Sequence, residues 1–233
     1  MTIQIRPSEA RGHAKHGWLD SHHSFSFGHY YDEAHMGFRS LRVINEDRID
    51  PDSGFPTHPH RDMEIISYVV EGALAHRDTT GADGMIVPGD IQAMSAGTGV
   101  RHSEFNGQEG GKTRFLQIWI IPDKAGHEPR YGQVNVPDAE KKNALRLLVG
   151  PEDRAGSLRI NQDAKLYGSL LDAGKSVQHS LAQGRGAWVQ VIDGAIEVNG
   201  NPLKSGDGAQ IEDVAELTVT AKEDTEFLLF DLA

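Results

Sequence analysis

Glu64-Ile65-Ile66-Ser67-Tyr68-Val69-Val70-Glu71-Gly72-Ala73-Leu74 is a run of β-branched and aromatic residues that ends in a glycine turn. That composition favours a strand entering a hairpin, because branched and aromatic side chains pack well on a pleated surface. The pattern returns as Val191-Ile192-Asp193-Gly194-Ala195-Ile196. In each copy a Gly-Asp turn follows downstream, Pro88-Gly89-Asp90 in the first and Ser205-Gly206-Asp207-Gly208 in the second. An internal echo of this kind predicts two similar β-barrels in tandem, joined near residues 122–133, where Pro, Gly and charge accumulate.

Outward from these hairpins the chain keeps the same style. Strands are expected over Leu41–Asn45, Phe115–Ile121, Ala187–Ile192, Glu216–Thr220 and Glu226–Phe230. Turns fall at Gly72, Gly89, Gly194, Asn199-Gly200 and Gly206. A helix is expected only around Asp138–Ala144. The fold class is therefore all-β with few short helices.

Bulk composition excludes several function classes. The chain has 233 residues, 23 Lys+Arg against 34 Asp+Glu, and a net charge of -11. Such an acidic chain is a poor match to nucleic acid, whose phosphates need basic partners. With no cysteine, thiolate zinc sites, iron–sulfur clusters and Cys nucleophiles are excluded. The N-terminus has no apolar core of the signal-peptide kind, and no apolar run approaches the ~18 residues needed to span a bilayer. No membrane partner is expected, and the simplest location is the cytoplasm.

Histidine is the conspicuous entry, with 12 copies crowded into the first part of the chain. Gly54-Phe55-Pro56-Thr57-His58-Pro59-His60 carries two of them at i and i+2. Side chains two apart on a strand share a face, so His58 and His60 can both point into one barrel. His102-Ser103-Glu104, after the glycine-rich Gly97-Thr98-Gly99, has the same parity. Three imidazoles and a carboxylate in one barrel make a site for a single divalent transition metal, and Fe, Mn, Co, Ni, Cu and Zn all suit these donors. Parity also places Glu64 on the face of His60, so either Glu64 or Glu104 could supply the carboxylate. Pro59 cannot donate to a ladder, and a bulge there would break the parity before Glu64, which favours Glu104.

The remaining histidines read as structural. His13, His16, His22, His23, His29 and His35 are expected to hydrogen-bond within an N-terminal wrap, in preference to a metal-uptake cluster. His76 is expected to be packed or at a rim, and His127 and His179 have no partner motif. Phe55, Met63 and Met94 are candidate pocket walls.

Residues 18 to 106 resemble the pirin family of the cupin superfamily. The resemblance rests on Trp18-Leu19-Asp20-Ser21, His23-Ser24-Phe25-Ser26-Phe27, Tyr30-Tyr31-Asp32, Met36-Gly37-Phe38, Leu41–Asn45, Thr57-His58-Pro59-His60, Asp62-Met63-Glu64-Ile65 and the run Met94–Glu104. It continues through Gln117–Ile120 and Pro129-Arg130-Tyr131 and loosens in the C-terminal half, where Gly156-Ser157-Leu158 and Leu228–Leu232 still fit a bacterial member. His22 departs from the pattern, since relatives more often carry an aromatic or another residue there.

The resemblance implies a bicupin with a metal-bearing N-terminal cupin barrel over residues 1–125 and a metal-free C-terminal barrel over 126–233. Val177-Gln178-His179-Ser180 stands where a second His-x-His would sit and lacks it. Carried over by motif, His58, His60, His102 and Glu104 match the family's metal ligands, which decides the carboxylate against Glu64. The implied activity is that of a quercetin 2,3-dioxygenase: cleavage of a flavonol, a small aromatic substrate, by O2 with release of carbon monoxide, Glu104 accepting the substrate proton. The other expectations are a non-enzymatic, metal- or redox-responsive regulatory protein that binds a protein partner, as eukaryotic pirins are taken to be, or a cupin with a different small-molecule reaction.

Overall fold

The structure is a computed structural model that describes residues 2–233. In chain order the strands begin with β1 (Thr2–Arg6), β2 (Gly12–His16), β3 (Leu19–His23), β4 (Leu41–Ile49), β5 (Gly54–His60) and β6 (Glu64–Glu71). They continue with β7 (Leu74–Asp78), β8 (Asp83–Ile86), β9 (Asp90–Ser95), β10 (Val100–Asn106), β11 (Thr113–Ile120) and β12 (Arg130–Asn135). The one α-helix among the described residues, α1 (Asp138–Lys141), is shorter than the expected stretch and precedes β13 (Arg146–Gly150), β14 (Leu158–Arg159), β15 (Ala164–Leu171) and β16 (Ser176–Ser180). The chain ends with β17 (Gly186–Asp193), β18 (Ala195–Val198), β19 (Asn201–Lys204), β20 (Gly208–Glu212), β21 (Glu216–Ala221) and β22 (Thr225–Leu232).

These strands form two compact units. The first comprises residues 12–135 and 151–162; the second comprises the chain up to Arg11, 136–150 and 163–233. The first unit is built on a sheet in the order β12-β9-β6-β11-β4-β3-β2 and a sheet in the order β5-β10-β7-β8. The second repeats the scheme with β1-β20-β17-β22-β15-β13 and β16-β21-β18-β19. The hairpin echo is thus a repeat of whole units: β17 and β18 stand in the second as β6 and β7 stand in the first.

A division at residue 125 does not follow the contacts. β1 runs antiparallel to β20, from Thr2 opposite Glu212 to Arg6 opposite Gly208, so it takes the position beside β20 that β12 takes beside β9. Residues 151–162 return to the first unit, where the Asn161 amide donates to Glu64 at 3.0 Å. The physical reason is the same at both places: an exposed sheet edge or a buried carboxylate needs a partner, and distant chain supplies it.

The core of the second unit is a continuous apolar cluster that includes Val189, Val191, Leu217, Val219, Phe227 and Leu229. In the first unit, β6, β9 and β11 are buried on both faces over most of their length. β10 instead alternates, with Val100, His102 and Glu104 buried and Arg101 and Phe105 exposed. The histidine-rich N-terminal segment belongs to the barrel wall: β2 pairs with β3 and β3 with β4.

Gly97 fixes the entry to β10. Its φ is +44°, and a Cβ there would lie 2.0 Å from the His127 carbonyl oxygen. Gly97→Ala should therefore cost about 1–3 kcal/mol of unfolding free energy, the usual cost of a left-handed non-glycine residue, measured by urea denaturation against wild type.

Candidate metal centre

The antiparallel pairing of β5 with β10 sets Val100 opposite His60 and His102 opposite His58. The register then shifts, and Glu104 stands opposite Phe55. Two residues of β5, Pro56 and Thr57, therefore face the single Ser103 of β10, which places the bulge there and not at Pro59. Pro59 is tolerated because β5 is an edge strand and its missing N–H breaks no ladder there. The break in parity before Glu64 comes from the turn after His60, where Asp62 has a φ of +49°.

His58, His60 and His102 converge, each offering a ring nitrogen within 4.8 Å of the others. The Nε2 atoms of His58 and His102 are 3.1 Å apart. His58 Nδ1 lies 2.8 Å from the Pro56 carbonyl oxygen. A carbonyl accepts only, so Nδ1 carries the proton and Nε2 presents a lone pair. His60 Nε2 and His102 Nδ1 are buried without a hydrogen-bond partner in the chain. Burial, with the charge of His58, lowers the His60 pKa to about 4. Burial, then the charges of His58, His60 and His76, lowers that of His102 to about 3 against the opposing pull of Asp78. Three imidazoles with converging ring nitrogens are a donor set that fits a borderline divalent cation.

Glu104 is fully buried and sits apart from the triple-histidine group. Its carboxylate forms a second group with His102 and His76, again within 4.8 Å. Ser67 Oγ donates to Oε1 at 3.1 Å and Gln117 Nε2 to Oε2 at 3.3 Å. Burial raises its pKa to about 7, against the lowering effect of both donors. Glu64, the rival carboxylate, is occupied elsewhere. It accepts from Ser95 Oγ at 2.6 Å and from Asn161 at 3.0 Å.

His76 is a member of the site that the sequence did not reveal. It is 1% exposed and stands opposite Glu104 in the β7–β10 register. Its Nε2 donates to Asp78 at 2.9 Å, leaving Nδ1, buried and without a partner, toward this group. Strand parity on β7 signals that His76 faces inward; its neighbour across the sheet depends on a register that no local pattern encodes.

A cavity of about 780 Å³ opens beside the imidazoles, with Phe27, Phe55, Trp119, His58 and His60 in its wall. Phe55 is the pocket wall expected of it. Met94 and Met63 instead pack with Ile65 and Val100 in a core cluster. Asp47, Ser21, His23, Asn45 and Gln117 also line the cavity. Ser21 donates to Asp47, and the neighbouring register pair joins His23 Nδ1 to Asn45 Oδ1 at 2.7 Å. Burial, aided by the charges of Glu104 and Glu46 and opposed by the Ser21 hydrogen bond, raises the Asp47 pKa from 3.8 to about 7. The other histidines are mostly tied down: His35 to Asp32, His127 to Asp123 and His179 to Asp231.

Two measurements test this electrostatic description. Between about pH 4 and 7 the folded chain keeps a proton on Asp47 that the unfolded chain has released. The group therefore lowers stability as pH rises through that window and has no further effect above it. Asp47→Asn should gain on wild type by up to about 1.4 kcal/mol per pH unit there, read from urea unfolding of metal-free protein at several pH values; a pH-independent difference would contradict the shift. Glu64→Ala should cost about 1–3 kcal/mol by stranding buried donors and leave metal stoichiometry unchanged.

Comparison with known proteins agrees with this architecture. The Pirin family profile matches residues 4–120, and the profile of the quercetinase C-terminal cupin domain matches residues 147–232. A protein of Escherichia coli (strain K12) named quercetin 2,3-dioxygenase is 44% identical over 230 residues, covering 99% of this chain and 98% of that one. A pirin-like protein of Caulobacter vibrioides is 44% identical over 232 residues, covering 99% and 100%. The crystal structure of the bacterial pirin YhhW from Escherichia coli in complex with nickel(II) superposes with a TM-score of 0.94 at 44% identity, over 99% of each chain. The chain belongs to the pirin family, and its two units are the two cupin barrels of a bicupin.

Proposed function

We propose that this chain is a metal-dependent dioxygenase that cleaves flavonols such as quercetin with O2 and releases carbon monoxide. The observation that carries this is the convergence of three imidazoles, with His58 and His102 Nε2 atoms 3.1 Å apart, beside an aromatic-lined cavity. Support comes from the activity named for the Escherichia coli relative and from the nickel(II) complex of the pirin YhhW.

His58, His60 and His102 would hold one divalent ion, and Glu104, grouped with His102, would complete the donor set by a shift of its side chain toward the imidazoles; nickel is the metal seen in that relative. Such an ion supplies Lewis acidity, which lowers the pKa of a substrate hydroxyl. The chain's own residues supply the rest. Glu104 accepts the hydroxyl proton at a carboxylate oxygen. Ser67 and Gln117 keep that carboxylate in place.

The planar substrate is held by apolar walls. Trp119 meets Phe27 edge to face at 5.2 Å and His60 at 5.0 Å, so the aromatic lining is continuous with the imidazole group. A cavity of about 780 Å³ lies in the range that encloses drug-sized ligands. The Ser21–Asp47 and His23–Asn45 pairs present polar groups to the outer ring hydroxyls of a polyphenol, and the surrounding apolar residues limit water.

The decisive experiment loads purified protein with one divalent metal at a time and follows quercetin and carbon monoxide together. Equimolar carbon monoxide is expected for each quercetin lost with at least one metal; no turnover with any of them overturns the proposal. His58→Ala and His102→Ala should each lose bound metal and lower turnover by more than about a hundredfold. Full metal retention in both variants would remove the ligand assignment.

A further inference from the structure

The hairpin of β2 and β3 carries a second donor group, made of none of the residues at the buried centre. His13 stands directly opposite His22 in the antiparallel register. Asp20 lies two residues before His22 on the same strand, so all three side chains leave one face of the hairpin. His13 Nε2 is 2.8 Å from Asp20 Oδ1, and His22 Nδ1 is 3.8 Å from the same oxygen. One donor atom from each residue lies within 4.8 Å of the others. The two imidazoles stack with centroids 4.4 Å apart and planes 12° apart.

Donors bound to one first-row cation at about 2.0–2.2 Å stand about 2.8–3.6 Å from each other in octahedral and tetrahedral geometry. The His13 distance to Asp20 lies at the lower end of that range and the His22 distance just beyond its upper end, so a small rotation of the His22 side chain closes the site without moving the strands. The backbone is already shaped for it, because Gly17 in the intervening turn has a φ of +57° and sets the hairpin that pairs the histidines.

Accessibility separates this group from the buried one. The side chains of His13, Asp20 and His22 are 50%, 33% and 28% exposed; the His22 Nδ1 atom is itself buried, so an ion would enter from the side of His13 and Asp20 and keep waters on its remaining positions. The nearest charged competitor is Lys15, opposite Asp20 in the register. Glu46, opposite His22, is already held by Arg48 and Arg114. His13 also lines the large cavity, which places the group at its edge.

We propose that His13, Asp20 and His22 form a second, solvent-facing site for a divalent first-row cation of the nickel, copper or zinc class. Two imidazoles and one carboxylate select these ions over calcium and magnesium, which prefer oxygen donors throughout.

Nickel(II) alone is the probe, in equilibrium dialysis of the full chain with metal analysis. Wild type should bind one equivalent tightly and a second more weakly. The double variant Asp20→Asn/His22→Ala should lose only the weaker equivalent, and His58→Ala/His102→Ala should lose only the tighter one. With copper(II), electron paramagnetic resonance of the His58→Ala/His102→Ala variant should show nitrogen coupling that disappears when Asp20→Asn/His22→Ala is added. Saturation of wild type at one equivalent overturns the proposal, as does a second equivalent that survives Asp20→Asn/His22→Ala. Neither outcome depends on turnover, so the dioxygenase proposal stands or falls separately.

Discussion

The register between β5 and β10 is the constraint on which the rest of the site depends. One pair, His58 opposite His102, brings two Nε2 atoms to 3.1 Å, and the bulge immediately beyond it moves Glu104 opposite Phe55. Without the extra β5 residue, Glu104 would stand opposite Pro56, with its partners on β7 and β11 set in a different frame. A one-residue slip on a strand sends every side chain to the other face. The burial of Val100, His102 and Glu104 on alternate positions of β10 therefore ties site geometry to the same apolar driving force that holds the barrel together.

Burial also decides the protonation of what the barrel encloses. The same low-polarity interior lowers the imidazoles of His60 and His102 and raises the carboxyls of Glu104 and Asp47. Each shift favours the neutral form, as expected where isolated charge is costly. The two effects have opposite signs in the pH dependence of folding: the imidazoles add stability as pH rises through about 3–6.5, whereas Asp47 and Glu104 remove it up to about 7. A barrel that encloses both kinds of group is buffered against pH by their opposition. A bound dication would reverse the carboxyl preference while keeping the imidazoles neutral, so ion binding and proton release are linked.

Much of this was legible in the sequence because its signals are local. Runs of β-branched and aromatic residues marked the strands, Asp193-Gly194 and Asn199-Gly200 marked the hairpins, and His58-x-His60 declared a shared face. The features that escaped are non-local. His76 becomes part of the site only through the β7–β10 register, and Asp47 only because β3 and β4 line the cavity. β1 joins the second unit because an edge beside β20 is left for it, about two hundred residues along the chain. Met63 and Met94 were misread for the same reason, since hydrophobicity says that a side chain is buried but not whether core or cavity receives it.

The second barrel shows how little of the site belongs to the fold. Its β16–β21 pair stands where β5–β10 stands in the first barrel, and the residues facing each other are Val177 with Val219 and His179 with Leu217. Leu217 and Val219 are buried in the apolar cluster, and His179 is held by Asp231, which Arg185 also engages. The same strand order therefore yields a filled core where the pair is apolar and a lined cavity where it is histidine. Replacing a buried apolar pair by imidazoles removes transfer free energy and introduces polar atoms that need partners. Histidines kept at such positions, with His60 Nε2 and His102 Nδ1 left without partners in the chain, are a cost that the apolar barrel avoids. A ligand on His60 Nε2 would offset part of that cost, so the unsatisfied atoms, more than the barrel around them, mark the proposed site.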